Sequence, residues 1–253
     1  EGAYTGSAAS ATVTMDSAIT ETAVWQKQFR LTTEAIPDTG GSVEIIPPGE
    51  WCNADSERQV AAIADPSFGW YSWQGGVNAT DNDTVTVTMD TSKHVQAVFK
   101  KKIDITYKTI PERLVYRIDG KEFVQDTTFT YLEGDVVTLS IADKDTIQSG
   151  GTGIRYMFNQ WSDGGARTHE YTVPAEDELV TAAFDTLYKL TLEADIGEVS
   201  DDSEKGDSWY YAGSEATFWI DSLNQYIAPG IRNHFKGWTG IGGENAYTGT
   251  DSV

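Results

Sequence analysis

Two acidic loops contain the residues best suited to holding a metal ion. Their carboxylates belong to Asp81 and Asp83 in the first loop and to Asp201, Asp202, Glu204 and Asp207 in the second. Calcium is coordinated by several oxygen atoms, which acidic loops can supply. Neither loop has the Asp-x-[Asp/Asn]-x-[Asp/Asn]-Gly pattern of a calcium-binding loop. A solvated acidic loop is therefore the preferred interpretation, with calcium as the alternative, and no other cofactor is expected.

The histidines and the cysteine give no support for catalysis. His94, His169 and His234 have no second His, Cys or Glu at the spacing of a zinc site, so surface positions are expected. Cys52 is the only cysteine, which excludes an internal disulfide. It aligns with the aromatic Tyr210, so we expect a packed side chain. No Gly-x-Ser-x-Gly elbow occurs, and we predict that the chain is not an enzyme.

Aromatic and amide side chains are the other candidates for ligand binding or modification. Trp209, Tyr210 and Tyr211 form a candidate platform on which a sugar ring would stack, although aromatic residues also build cores. Asn78 and Asn82 each begin an Asn-x-Thr sequon, which makes them candidate glycosylation sites.

Charge excludes one class of partner. The chain has 253 residues and a net charge of −21, from 39 acidic and 18 basic side chains. Phosphate backbones are bound by clustered Lys and Arg, so nucleic acid is excluded as a partner. No apolar run reaches the ~18 residues of a transmembrane helix. We expect any signal peptide or membrane anchor to lie outside these residues.

The elements that would position these residues are repeated. The segment TVTMDSAITETAVW at 12–25 returns as TVTMDTSKHVQAVF at 86–99, with seven of fourteen positions identical. Such apolar closing strands end at Trp25, Phe99 and Phe184, and each is followed by an alternating opening strand. Residues 1–6 also resemble residues 244–249, which suggests a piece of a longer array.

A second landmark is an aromatic-x-x-Trp motif followed by a pair of glycines. It occurs at 70–76, 158–165 and 235–243. Recurrence at one phase indicates that these rings fill the core of each repeat. The predicted core residues are Trp70, Trp73, Phe99, Phe158, Trp161, Phe184, Phe235 and Trp238.

These landmarks divide the chain into repeats. Residues 1–27 are the end of a preceding repeat (the N-terminal segment), and 28–101, 102–186 and 187–253 are repeats 1, 2 and 3, of which repeat 2 is a divergent subtype. Residues 1–25 lack opening strands and 246–253 lack a closing one, so a neighbouring chain or a continuation must cover them. Short alternating strands predict an all-β tandem array, sandwich-like within each repeat. The short junctions favour a semi-rigid rod.

The motifs resemble those of divergent internalin B-repeat domains, also known as bacterial repeat domains. The resemblance rests on the segments FGWYSWQGG, TVTVTMDTSKHVQAVF and HFKGWTGIGG. Repeat 2 resembles a related subtype through IDGKEF, YLEGD and TAAF. This resemblance implies an extracellular or cell-surface location in long tandem arrays. It also implies a β-grasp-like fold as the alternative to a sandwich, and no catalytic residues.

Three functions follow from these observations. The leading hypothesis is a structural stalk, or a filament or sheath component, whose partners are neighbouring repeats of the same or an adjacent chain. The alternative is an adhesin that binds glycan or a surface protein. The second alternative is an accessory region of a secreted enzyme.

Overall fold

The fold is all-β, as the sequence predicts. A computed structural model describes residues 4–77 and 81–240. Within these residues the helical segments are two short 3-10 turns, Asp38–Gly40 and Asp143–Asp145, and no helix is long enough to cross a membrane. The chain forms two compact units, one of Glu1–Ile103 with Thr130–Gly134 and one of Asp104–Phe129 with Asp135–Val253.

The first unit contains repeat 1 as two sheets. Its strands are β1 Gln28–Ile36, β2 Gly41–Ile46, β3 Trp51–Asn53, β4 Glu57–Ala64, β5 Phe68–Gly75, β6 Thr84–Thr88 and the first part of β7 Lys93–Ile110. One sheet has the order β5-β7-β1-β3, with β7 and β1 parallel. The other has the order β2-β4-β6 and is antiparallel.

Strand alternation explains the core of this unit. In β6 the valines at 85 and 87 are buried while the threonines at 84, 86 and 88 are exposed, because successive side chains of a strand point to opposite faces. Buried side chains of both sheets, including Leu31, Val60 and Phe99, form one hydrophobic cluster. Repeat 1 is therefore sandwich-like.

The second unit contains most of repeat 2 together with repeat 3. Its strands are the remainder of β7, β8 Tyr116–Ile118, β9 Lys121–Phe123, part of β10 Thr127–Leu132, β11 Val136–Ser140, β12 Ile147–Gly151, β13 Ile154–Trp161, β14 Thr168–Thr172, β15 Glu178–Lys189, β16 Val199–Asp201, β17 Trp209–Tyr211, β18 Phe218–Ile220, β19 Asn224–Ala228 and β20 Ile231–His234. β15 lies between β13 and the end of β7, and β17 pairs with its last residues. A second sheet has the order β14-β11-β8-β9.

Repeats 1 and 2 share one strand arrangement. The closing strand is parallel to its opening strand, with Leu31 opposite Lys93 in repeat 1 and Ile105 opposite Glu178 in repeat 2. Leu31 and its equivalent Ile105 are 74 residues apart, and Lys93 and its equivalent Glu178 are 85 residues apart, which are the offsets of the sequence repeat. The aromatic-x-x-Trp strand pairs with the other edge of the closing strand, and both pairs contain a register shift after the first aromatic residue.

Repeat 3 repeats part of this arrangement. β17 pairs with Leu187–Lys189 as β3 pairs with the start of β1: Leu187 lies opposite Tyr211, and Gln28 lies opposite Asn53. The residues that continue its opening strand, 190–195, form no strand, and neither do 235–240.

Candidate functional site at the Trp209 cluster

Trp209 lies where repeat 2 meets repeat 3 within the second unit. β17 places it opposite Lys189, at the end of β15, and β13 runs along the other edge of β15. The guanidinium carbon of Arg155, in β13, lies 4.2 Å from the centroid of the Trp209 ring. The Lys189 ammonium lies 5.8 Å from the same centroid. A cation over an indole face is attracted by the ring quadrupole, so this contact links the two repeats.

Asp207 joins the same cluster. Its carboxylate accepts a hydrogen bond from Arg155 Nη2 at 3.0 Å, and its carbonyl accepts one from the Lys189 ammonium. The hydrogen bond from Arg155 holds the pKa of Asp207 below its usual range. Two basic residues of the β13–β15 pair are thus held by one loop of repeat 3.

The neighbouring acidic residues accept hydrogen bonds from donors within the protein. The Tyr210 hydroxyl donates to Asp201 at 2.9 Å and to Asp202 at 2.8 Å. Asp201 also accepts from the Ser203 amide and the Ser208 hydroxyl, and these hydrogen bonds lower its pKa. Desolvation, followed by the two carboxylates, raises the pKa of Tyr210. The carboxylates of Asp201 and Asp202 are therefore hydrogen-bonded by neighbouring groups of the same repeat.

The structure brings together some of the candidate calcium ligands and not others. Asp201, Asp202 and Asp207 lie in the hydrogen-bonded cluster, whereas Glu204 is exposed beside it. Asp81 and Asp83 lie in a separate exposed loop. Among residues 4–77 and 81–240, no group of three or more His, Cys, Asp or Glu side chains could hold a metal ion. Calcium binding stays an untested prediction.

The proposed aromatic platform is partly covered. Trp209 and Tyr210 are half-buried, and Arg155 occupies one face of the Trp209 ring. Tyr211 is 47% exposed. Trp51, the counterpart of Trp209 in repeat 1, is 61% exposed. Sugar stacking on this cluster stays a prediction, and the open rings are Tyr211 and Trp51.

The histidines and Cys52 are engaged within the fold. His94 contacts the Glu34 carboxylate at 3.1 Å, and His169 contacts the Asp163 carboxylate at 2.7 Å. His234 hydrogen bonds Asn224 at 3.0 Å. Cys52 is fully buried and its sulfur accepts a hydrogen bond from Arg58.

The predicted core residues occupy two environments. Trp73, Phe99, Trp161 and Phe184 are each less than a tenth exposed. The others are half-buried: Trp70, Phe158, Phe235 and Trp238. In each motif the two rings are neighbours, with centroids 6.3, 6.1 and 5.4 Å apart in repeats 1, 2 and 3. Of the two sequons, Asn82 lies in an exposed loop and Asn78 lies outside the described residues.

The comparison with known families agrees with this architecture. Residues 31–103 match the family described as the divergent InlB B-repeat domain. The match runs from β1 through the first part of β7, so it contains both sheets of repeat 1 apart from the first residues of β1. It confirms the resemblance noted in the sequence. No curated protein matches the chain.

Sequence analysis did not identify two residues of the Trp209 cluster. Arg155 and Lys189 are not among the predicted site residues, and no spacing rule connects Arg155 to a tryptophan 54 residues later. Their proximity depends on the register of β13 and β17 on β15. The sequence signal for this cluster is the alignment of Trp209 with Trp51. This alignment marks Trp209 as a repeated position but does not identify Arg155 as the residue that contacts it.

Proposed function

We propose that this chain is a non-enzymatic structural region of an extracellular or cell-surface protein, in which the repeats form a semi-rigid stalk. One observation carries the proposal: the last residues of β15, the strand that closes repeat 2, pair with β17 of repeat 3, so no linker separates the two repeats. A stalk must transmit orientation from one repeat to the next, which a flexible linker would prevent.

Side-chain contacts support the same function. Arg155 stacks on Trp209 and is ion-paired with Asp207, so a side chain of repeat 2 is held by two residues of repeat 3. Because the side chain of Arg155 is only 22% exposed, this pair is less screened than a surface ion pair. Shared strand and side-chain contacts together resist bending at the junction.

The family supports the location. Repeat domains of this kind occur as arrays, in which each unit contacts its neighbours, and the InlB B-repeat match is consistent with a surface protein. Protease treatment of intact cells of the source organism is the direct test. Loss of the protein from intact cells is expected, whereas full protection until lysis would contradict a surface location.

Residual dipolar couplings test the stiffness of the junction. We expect amides of β11–β14 and amides of β16–β18 to fit one alignment tensor. The double variant Arg155→Ala, Trp209→Ala should need two tensors, because both partners of the stacked pair are gone. Arg113→Ala, at an exposed turn of the same unit, is the matched control and should keep one tensor. Two independent tensors in the unsubstituted chain would contradict a semi-rigid stalk.

Exposed rings favour the adhesin as a second candidate. Trp51 is 61% exposed and Tyr211 is 47% exposed at equivalent ends of repeats 1 and 3. If these rings stack on sugars, a glycan array should give signals that Trp51→Ala and Tyr211→Ala remove. Silence of the unsubstituted chain on the array would leave the structural role alone.

A further inference from the structure

The strand that opens each of repeats 1 and 2 is parallel to the strand that closes it. In repeat 1, residues 31–36 of β1 pair with residues 93–98 of β7. In repeat 2, residues 105–110 of β7 pair in the same way with residues 178–183 of β15. Within each repeat, the chain therefore enters along one strand of a parallel pair and leaves along the other.

A parallel pair responds to tension differently from a hairpin. Its entry and exit points lie at opposite ends of the pair, because both strands run in the same direction. Pulling these points apart slides one strand along the other, so the hydrogen bonds of the whole pair are stretched together. In an antiparallel hairpin such as β12–β13, the two points lie side by side, and pulling them apart breaks the bonds one after another. A parallel pair therefore needs a larger force to rupture.

The closing strand is held on its other edge as well. β5 pairs with β7 in repeat 1, and β13 pairs with β15 in repeat 2. A closing strand that slides out of its repeat must therefore break two ladders of hydrogen bonds. Since each main-chain group that is freed in the interior of a sheet must find a new partner, the second ladder adds to the resistance.

Buried side chains shield these ladders from water on one face. Leu31, Val95 and Ala97 are fully buried in repeat 1, and Val180 and Ala182 are fully buried in repeat 2. When strands separate in water, bonds to water replace the bonds between the strands. Exclusion of water from this face therefore hinders the loss of single bonds and favours rupture of the pair as a whole.

Polar side chains bridge the same two strands on the other face of repeat 1. The ring nitrogens of His94 contact Thr32 Oγ1 at 2.9 Å and Glu34 Oε2 at 3.1 Å. Gln96 Nε2 donates a hydrogen bond to the same Glu34 oxygen at 2.7 Å. Thr32 and Glu34 belong to β1, whereas His94 and Gln96 belong to β7, so each contact opposes sliding of one strand along the other.

We propose that the parallel pair of opening and closing strands is a tension clamp, through which each repeat resists unfolding when the chain is pulled along its length. β7 closes repeat 1 and opens repeat 2, so force that leaves the first clamp enters the second through one strand. This role goes beyond that of a semi-rigid stalk, because resistance to bending depends on the junctions, whereas resistance to tension depends on the strand pairs within each repeat.

Single-molecule pulling of the full 253-residue chain in two directions tests the clamp of repeat 1. The pair Gln26→Cys and Lys101→Cys attaches the handles before β1 and after the paired part of β7, which loads the strands by sliding. The pair Gln26→Cys and Thr91→Cys attaches them at neighbouring ends of the strands, which loads the same strands by peeling. The three positions are exposed and Cys52 is fully buried, so the handles react at the intended sites.

The unfolding force of repeat 1 should be at least doubled in the sliding direction relative to the peeling direction. Forced unfolding reports the barrier to unfolding along the direction of pull, so one folded chain gives two different forces. The two handle positions share Gln26→Cys, and the melting temperatures of both variants show that the fold is intact. Equal forces in the two directions, or a weaker sliding direction, would overturn the clamp.

His94→Ala tests the side-chain bridge in the same experiment. It removes both contacts of the ring with β1, so the sliding force should fall, while the melting temperature should change little because His94 is exposed. Glu44→Ala is the matched control, since it is exposed on β2 in the other sheet, and it should leave the sliding force unchanged. A sliding force that His94→Ala leaves unchanged would overturn the assignment of this bridge to the clamp.

Failure of the clamp is distinguishable from failure of the stalk. Two independent alignment tensors together with a high sliding force would leave a tension clamp in a flexible chain. One tensor together with equal forces in both directions would leave a stiff stalk without a clamp.

Discussion

The guanidinium carbon of Arg155 lies 4.2 Å from the centre of the Trp209 ring, although the two residues belong to different repeats. The contact exists because β15 carries β13 on one edge and β17 at its end. The contact of Arg155 with the Trp209 ring and its ion pair with Asp207 therefore lie at the junction of repeats 2 and 3 rather than within one repeat.

Arg155→Ala should lower the free energy of unfolding of the second unit by about 1–2 kcal/mol, because a partly desolvated cation–π contact and an ion pair are lost together. Arg155→Lys should lose less, since it keeps the charge but not the planar stacking. Urea unfolding followed by circular dichroism measures both. Lys121→Ala is the control, because its ammonium contacts Phe123 within repeat 2 only, and it should change little.

Trp161→Ala should destabilise repeat 2 by about 3–5 kcal/mol, because a large buried ring is removed and a cavity is left. Trp161 is 1% exposed and its indole nitrogen donates to the Arg167 carbonyl. Calorimetry should show a lower melting temperature for the second unit and no change in the first. Trp161→Phe should lose less, and equal losses would argue against a packing role.

Gly75→Ala should be more damaging than Gly164→Ala. Both glycines are the first of a pair and have positive φ, +88° and +76°. A Cβ at Gly75 would clash with the His94 carbonyl oxygen, whereas nothing lies within 4 Å of one at Gly164. Each substitution costs about 1–2 kcal/mol of backbone strain, and Gly75→Ala adds a clash. Urea midpoints of the two variants should differ accordingly.

Asp201→Asn should lower the melting temperature at pH 7 by a few degrees, because a carboxylate that accepts hydrogen bonds from the Ser203 amide and the Ser208 and Tyr210 hydroxyls is replaced. The pKa of Asp201 is lowered in the folded chain. Its ionised form therefore contributes stability above the ordinary carboxyl pKa of about 4 and loses it as pH falls further. The difference between variant and unsubstituted chain should shrink below about pH 4. Asp81→Asn, in an exposed loop, is the control and should leave the melting temperature at pH 7 unchanged.

Calcium should not change the melting temperature of the second unit. The carboxylates of Asp201, Asp202 and Asp207 already accept hydrogen bonds from Tyr210, Thr217 and Arg155, and these contacts compete with a cation. Scans in millimolar calcium and in chelator should coincide. A rise in the calcium sample that Asp201→Asn removes would establish a calcium site.

Much of the fold could be predicted from local pattern. Alternating Thr and Val at 84–88 is the pattern of a strand with one buried face, and β6 has that burial. The aromatic-x-x-Trp motif predicted core rings, because residues that recur at one phase meet the same environment, and the structure places the two rings of each motif side by side. The register shift after Trp70 and Phe158 was not predictable, because a bulge depends on the partner strand.

Sequence alone determined that the chain is all-β, repeated, acidic and similar to a repeat family over residues 31–103, since periodicity and composition are local properties. Tertiary structure decided which strand lies in the middle of each sheet, which tryptophans are buried, and that Arg155 lies against the Trp209 ring. The exposure of Trp25 also needed the structure: its sequence matches a buried strand, but burial requires flanking strands. Pairing across tens of residues is set by sheet register, which no local pattern encodes.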